Sequence, residues 1–416
     1  MQAQHGEPGV SRPAGFAEPL LYHRRGSEAR ERKPFAGRSY LWFRPSIVQG
    51  PRLNAMKTGI IGLPQVGKTS LFKILTKAKL DDRGYSNPRE AHIGVARVPD
   101  QRLEKLSALY SPKKTTYASV EFVDVAAIGQ EALKETAFLT SLRNVDALIH
   151  VLRAFEDDAI PHVGPIDPLR DIKNVEFDLM ISDLAQVEKR LERVEKDIRK
   201  MRSADLEHEQ ALLVRSKAAL EKEQPLRELE MTSEEKKLIK GFMFLSQKPV
   251  LYVVNIGESV TLGADLASAV SRYNLTEVAH RPNAGATAIC GKVEAELAEM
   301  DEAEAADFLA SYGLTESGLV RLIRKSYELL GLISFFTAGE DECRAWTVPA
   351  GSKAPQAAGA IHSDLEHHFI RAETIRWDSL LAAGSEAAAR AQGTLRLEGK
   401  EYVVHDGDVM HIRHSG

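Results

Sequence analysis

Cysteine is nearly absent: Cys290 and Cys343 are the whole complement of a 416-residue chain. They offer neither a disulfide framework nor the paired spacing of a thiolate metal site, which fits a reducing cytosol and a cytoplasmic location. Long apolar runs are also missing; none approaches the ~20 residues that a membrane-spanning helix needs. Nor is there an excess of one charge, since 55 Lys and Arg stand against 59 Asp and Glu, for a net charge of −4. A polyanionic partner would have to be met by a local basic surface rather than by the molecule as a whole. What is left, 43% hydrophobic and 27% charged residues, is the composition of an ordinary soluble protein with room for two or three domains.

The strongest signal is Gly62-Leu63-Pro64-Gln65-Val66-Gly67-Lys68-Thr69, followed by Ser70. A short apolar run, Thr58-Gly59-Ile60-Ile61, precedes it, and a helical pattern from Ser70 to Leu75 follows. A glycine-rich turn between strand and helix leaves backbone N–H groups free to cradle phosphates at a helix N-terminus. In that reading Lys68 reaches the β- and γ-phosphates and the Thr69 hydroxyl coordinates Mg²⁺. The alternative is a fortuitous glycine turn, which the flanking strand and helix argue against.

Residues 1–55 have another character. They are rich in Pro, Gly and Arg, carry nine Arg and Lys against four Asp and Glu, and show no apolar period. They read as a disordered extension or a mis-assigned start before Met56; an Arg-rich targeting or RNA-binding arm is the functional alternative.

From Met56 the chain alternates strand and helix signals. Val120–Val125, Ala147–Leu152 and Pro249–Asn255 are β-rich runs separated by helical stretches, which predicts a parallel α/β sheet with ligands at the carboxyl ends of its strands. Between the last two runs, Leu184, Val187, Leu191, Val194, Ile198 and Met201 form a heptad seam on a long helix. A second helical stretch, about 207–223, ends before Pro225. An antiparallel helical arm inserted into the α/β domain is the simplest structure. Its charges, among them Lys189, Arg190, Arg193, Lys196, Arg199, Lys200 and Arg202, read either as a solvated face or as a surface that touches RNA or protein. After Leu332 come short strand signals at Ala345–Val348, Phe369–Ile375 and Tyr402–His405, with Asp406-Gly407-Asp408 as a turn. They predict a small β-rich domain of ~80 residues.

Asp124 ends a strand downstream of the glycine-rich loop, the place of the acid that holds Mg²⁺ in such enzymes; a buried structural Asp is the plainer alternative. Ala127 and Ile128 stand where a GTPase has a γ-phosphate-sensing Gly and a water-positioning Gln. Asn255-Ile256-Gly257-Glu258 stands where a GTPase reads guanine with Asn-Lys-x-Asp. Guanine selectivity should therefore be poor, while the Asn255 amide can still donate to N7 and accept from the N6 amino group of adenine. Ile256 and the stretch around Cys290 would close over the base with backbone groups. His162, in the loop Ile160-Pro161-His162-Val163-Gly164, is the remaining group that could orient water; an exposed loop histidine is otherwise simply solvated.

Taken together these residues resemble the YchF / Obg-like ATPase family of translation-factor-class P-loop NTPases. The resemblance runs from Met56 to about His414. Beyond the loop and Asn255-x-x-Glu258 it includes Val98-Pro99-Asp100, Phe155-Glu156-Asp157, Phe335-Phe336-Thr337-Ala338-Gly339, Arg344–Thr347, Ala354–Gly359, Phe369–Glu373 and Glu398-Gly399-Lys400-x-Tyr402. It implies a G domain in two parts (56–180 and 247–334), an inserted coiled-coil arm (181–246) and a C-terminal TGS domain of β-grasp shape (335–414). It also implies ATP as the preferred nucleotide with Mg²⁺ held by Thr69 and Asp124. The phosphate-binding set is Pro64, Gln65, Val66, Gly67, Lys68, Thr69 and Ser70, the base-binding set Asn255, Ile256 and Cys290, and catalysis falls to Lys68 and His162. The expected partner of such a monomer is the ribosome, through its large subunit, with RNA as a further partner and no membrane.

The chain departs from the family where the chemistry is densest. Gln65 replaces an Asn linked to K⁺ coordination, which weakens the case for K⁺-stimulated hydrolysis. Pro88 falls where the Mg²⁺-binding Thr of switch I is expected, Ala127 replaces a Gly, and Gly129–Lys134 shortens the segment that follows. Two functions follow: a slow ATPase acting as a nucleotide-dependent regulator on the ribosome, or a non-hydrolysing nucleotide-binding adaptor for ribosome or RNA.

Overall fold

The strand Lys57–Ile61 (β1), buried from Thr58 onward, sits at the centre of a six-stranded sheet. The computed structural model describes residues 56–77, 92–125, 135–162, 164–258 and 266–415. The 1–55 segment, the stretch Gly84–Glu90 with Pro88, Ala127, and Gly129–Lys134 lie outside the described residues. With β2 (His92–Arg97), β4 (Ser119–Asp124), β5 (Ala147–Ala154), β6 (Val250–Ile256) and β7 (Ala284–Ile289), the strand order is β2-β4-β1-β5-β6-β7. All neighbours are parallel except β2, which pairs antiparallel with β4. β5 and β6 are buried at every residue. Such unbroken apolar runs are what a parallel strand covered on both faces requires. Phe72, Leu75, Leu103, Leu106 and Leu322 fill one side of the sheet, and Leu142, Ile172, Val175, Leu179 and Leu275 the other.

The register sets up the site. Ile60 lies beside both Asp124 and Ile149, and Arg153 lies beside Asn255. The carboxyl ends of four strands therefore open on one edge, where an α/β sheet places ligands.

The arm grows out of the sheet's own covering layer. Helix α4 (Pro168–Lys200) is capped by Asp167, whose carboxylate accepts from Arg170 N, and runs 33 residues without a break through position 180. It turns back as α5 (Ala204–Glu221). Val187, Leu191 and Val194 are buried in the seam against Leu212, Leu213 and Leu220. Met201 does not continue the seam: it ends α4 and is 71% exposed. The bidentate pair of Arg190 with Glu209 (2.7 and 2.8 Å) and the pairing of Arg202 with Glu207 account for two of the arm's basic residues.

The second sheet is mixed and has the order β11-β10-β12-β8-β9-β3. It comprises β8 (Leu332–Thr337), β9 (Glu342–Pro349), β10 (Phe369–Arg376), β11 (Arg396–Glu398) and β12 (Asp408–His414). The helix Ala354–Ile361 packs on it through Ala354, Ala357 and Ala358 against Phe335, Val348 and Met410, a β-grasp arrangement. Two expectations change here. Tyr402–His405 is not a strand of the sheet: Val403 makes an isolated antiparallel bridge with Lys353, and Asp408 holds the segment by accepting from the Tyr402 hydroxyl at 2.7 Å and from His405 N at 2.9 Å. The edge strand β3 (Lys114–Thr116) comes from the N-terminal half of the chain and pairs parallel with β9.

Candidate nucleotide-binding site

The loop between β1 and helix α1 (Lys68–Thr76) is shaped by backbone conformations that only its sequence tolerates. Gly67 has φ 97°, and a Cβ there would stand 2.7 Å from Asn255 Nδ2; one at Gly62 would stand 2.5 Å from the Val151 carbonyl oxygen. Gln65 also lies in the left-handed region, at φ 59°. No side chain caps the start of α1, so its first N–H groups face an anion site.

A cavity of about 240 Å³ opens over this turn, lined by Gln65, Gly67, Lys68, Thr69, Ser70, Phe155 and Ile160. Lys68 is buried, with Nζ donating to the Leu63 carbonyl at 2.6 Å. Burial lowers its pKa to about 8, against the opposing pull of Asp124. The Thr69 hydroxyl donates to Asp124 Oδ2 at 3.1 Å. A hydroxyl and a carboxylate converging at a phosphate loop form the hard oxygen donor set that suits Mg²⁺. Pro64 is exposed at the turn, and Val66 is buried beneath it.

Asn255 is engaged with the loop itself. Its Nδ2 donates to the Val66 carbonyl at 3.0 Å, and its Oδ1 accepts from Gly291 N at 3.0 Å. One amide hydrogen and one lone pair are left for a base. Ile256 and Cys290 turn their side chains into the core, so the backbone is what they can present. Glu258 accepts from Lys292 Nζ at 2.8 Å.

The structure does not bring His162 into the cavity wall; Ile160 takes that place. His162 Nδ1 is 3.0 Å from the Gly164 carbonyl. The other nearby histidine, His150, is fully enclosed in β5, and burial, helped by Lys68 and Arg227, holds its pKa down to about 3. It stays neutral at any working pH.

A further residue, Arg153, belongs to the site. Arg153 is 2% exposed at the end of β5 and donates to three carbonyl oxygens: Ile160 at 2.8 Å, Phe155 at 3.2 Å and Gln65 at 3.4 Å. Its only mark in the sequence is an arginine near the end of a mostly apolar strand, ALIHVLRA, which flags the residue but not its role.

The comparisons agree with this geometry. Residues 332–415 match the YchF-GTPase_C family model, described as "Protein of unknown function (DUF933)". The chain is 45% identical over 365 residues to the "Ribosome-binding ATPase YchF" of Bacillus subtilis (strain 168), covering 86% of this chain and 99% of that one. It is 40% identical over 362 residues to the protein of the same name from Escherichia coli O157:H7, covering 86% and 98%. A solved structure, "Structure of the Schizosaccharomyces pombe YchF GTPase", superposes with a TM-score of 0.72 at 32% identity, covering 88% of this chain and 100% of that one.

Proposed function

The chain belongs to the YchF family, and from that premise we propose that it is a slow ATPase whose nucleotide state governs association with the ribosome. The observation that carries the nucleotide part is the convergence of Lys68, Thr69 and Asp124 on one turn at the strand ends. Lys68 would bind the β- and γ-phosphates, and Thr69 and Asp124 would hold Mg²⁺, whose positive charge would offset that of the phosphates. The names of the relatives divide between ATPase and GTPase. Here Ile256 and Glu258 in place of the Lys and Asp that read guanine support ATP. Asn255 holds the loop and offers its remaining hydrogen to adenine N7, while Ile256 and Cys290 frame the base with backbone groups. His162 orients the attacking water after its loop turns inward. Ribosome binding is carried over from the names of the bacterial relatives, with the large subunit and RNA as the contacts and the monomer as the working form.

The adaptor reading draws support from one observation, the His162 side chain turned to Gly164 rather than to the cavity. One experiment separates the two. ATP and GTP affinities and single-turnover ATP hydrolysis are measured with and without ribosomes for wild type, Lys68→Ala and His162→Ala. The ATPase reading expects ATP to bind more tightly than GTP, Lys68→Ala to lose binding, and His162→Ala to bind normally but turn over at least about tenfold more slowly. Equal affinities would remove the adenine role of Asn255. Absence of hydrolysis in wild type on and off the ribosome would leave the adaptor.

A further inference from the structure

We propose that Arg153 is a positioning residue that fastens the histidine-bearing loop to the phosphate loop; the catalytic part of this inference rests on the ATPase reading above. Arg153 lies near the end of β5, in register with Asn255 on β6, and its side chain is almost wholly enclosed. Its fork reaches both loops at once. One side holds Phe155 and Ile160, the first and sixth residues of the 155–160 stretch, and the other reaches the carbonyl of Gln65. The plane also lies over the Phe155 ring, 4.4 Å from its centroid. Phe155 and Ile160 are the two residues of this loop that wall the cavity, and His162 follows Ile160 by two positions.

The chemistry favours arginine. Arg153 donates to Phe155, Gln65 and Ile160, in each case to a carbonyl oxygen. Burying a cation is costly without strong compensation, so several aligned N–H donors are needed to hold it there. A lysine could satisfy only part of this set as a point charge, whereas the planar fork sets the angle between two loops. The Gln65 contact adds a second function. Gln65 lies at φ 59°, a conformation non-glycine residues adopt at a cost, and the hydrogen bond to its carbonyl helps hold it there. Movement of the phosphate loop and movement of the histidine loop are thereby linked through one side chain.

The test uses the full chain as wild type, Arg153→Lys, Arg153→Met, His162→Ala and Arg153→Met/His162→Ala. Three quantities are read: ATP affinity, single-turnover rate, and hydrogen exchange of the amides in 157–162. Arg153→Met should leave ATP affinity within about threefold, slow turnover at least about tenfold and speed exchange in that loop. Arg153→Lys should recover part of both losses. The double variant should be no slower than the slower single variant, because both act through the same histidine. Unchanged exchange in 157–162 would overturn the proposal, as would losses that multiply in the double variant or a defect confined to affinity. If Arg153→Met does not fold, Arg153→Lys decides, since it keeps the charge and removes only the fork: faster exchange supports the clamp and unchanged exchange rejects it. If wild type does not hydrolyse ATP, the ATPase reading fails by itself, and loop exchange alone then decides the clamp.

Discussion

At the residue scale, the clearest consequence concerns Lys68. Burial favours its neutral form and lowers its pKa from 10.5 to about 8. Bound phosphates favour the charged form and raise it again. Nucleotide binding therefore takes up a proton between about pH 8 and the bound-state pKa. Affinity should be flat below pH 8 and then fall as pH rises, by up to about tenfold per unit. Stability of the free protein moves the other way over the same range, because between about pH 8 and 10.5 the unfolded chain binds more protons at this site than the native one. Calorimetric titration with ADP from pH 7 to 9.5 checks the first statement. Lys68→Arg should bind more weakly but lose the slope, since arginine stays protonated throughout. A slope that persists in Lys68→Arg would assign the titration to another group. Lys68 and Thr69 were legible because a phosphate-binding loop imposes residue types at fixed spacing. Arg153 was not, because its role depends on carbonyls from two loops brought together only by β-sheet register.

At the element scale, the base of the arm is held by buried carboxylates on α4. Asp183 is fully buried and accepts from Leu245 N at 2.9 Å, Ser246 N at 2.7 Å and the Ser246 hydroxyl at 2.7 Å. Two turns earlier, Glu176 accepts from the Tyr252 hydroxyl at 2.6 Å and pairs with Arg227. These contacts tie the outgoing helix to the returning chain and to β6. Asp183→Ala would strand two buried N–H groups and should cost roughly 2–4 kcal/mol, with Asp183→Asn recovering part of it. Urea denaturation followed by circular dichroism measures the loss, and proteolysis should then cut first near the arm's return segment. Nucleotide affinity should change little, as Asp183 is no part of the phosphate turn. The arm's existence was readable from its heptads, and β4, β5 and β6 from their apolar runs. Two details escaped for local reasons. Alternation at Tyr402–His405 predicts a full strand, but the segment makes a single bridge, Val403 to Lys353, and the Asp408 carboxylate holds its end. Met201 keeps the heptad spacing past the point where α4 has partners to bury it.

At the scale of the whole molecule, the C-terminal sheet is covered on both faces by different parts of the chain. Phe335 turns toward the helix Ala354–Ile361. Its neighbour Phe336, with Ala345, Ile375 and Val409, belongs to the core that also holds Leu103 and Leu106 of helix α2 (Gln101–Tyr110). Strand β3 follows α2 and joins the edge of the same sheet, and β4, which ends at Asp124, begins three residues later. Arg102 adds a polar tie, bonded to Asp100 at 2.8 Å and to Asp406 in the turn before β12. A stretch of three residues, Lys114-Thr115-Thr116, carries no periodicity that could reveal this destination. The expected consequence is that the segment matching the C-terminal family model, residues 332–415, does not fold on its own. Expressed alone, residues 332–415 would expose Phe336, Ala345, Ile375 and Val409 and lose their edge strand, so they should bind a hydrophobic dye and melt without a cooperative transition. Residues 92–416 should not rescue them, since β4 would then lack its parallel neighbour β1. The full chain should instead show α2, β8 and β12 exchanging their amide hydrogens with one common free energy. A cooperative melt of 332–415 alone would refute the shared core. The same arrangement joins the nucleotide site to the C-terminal sheet through one short stretch of chain: β4 ends at Asp124, and β3, separated from the start of β4 by two residues, is a strand of that sheet.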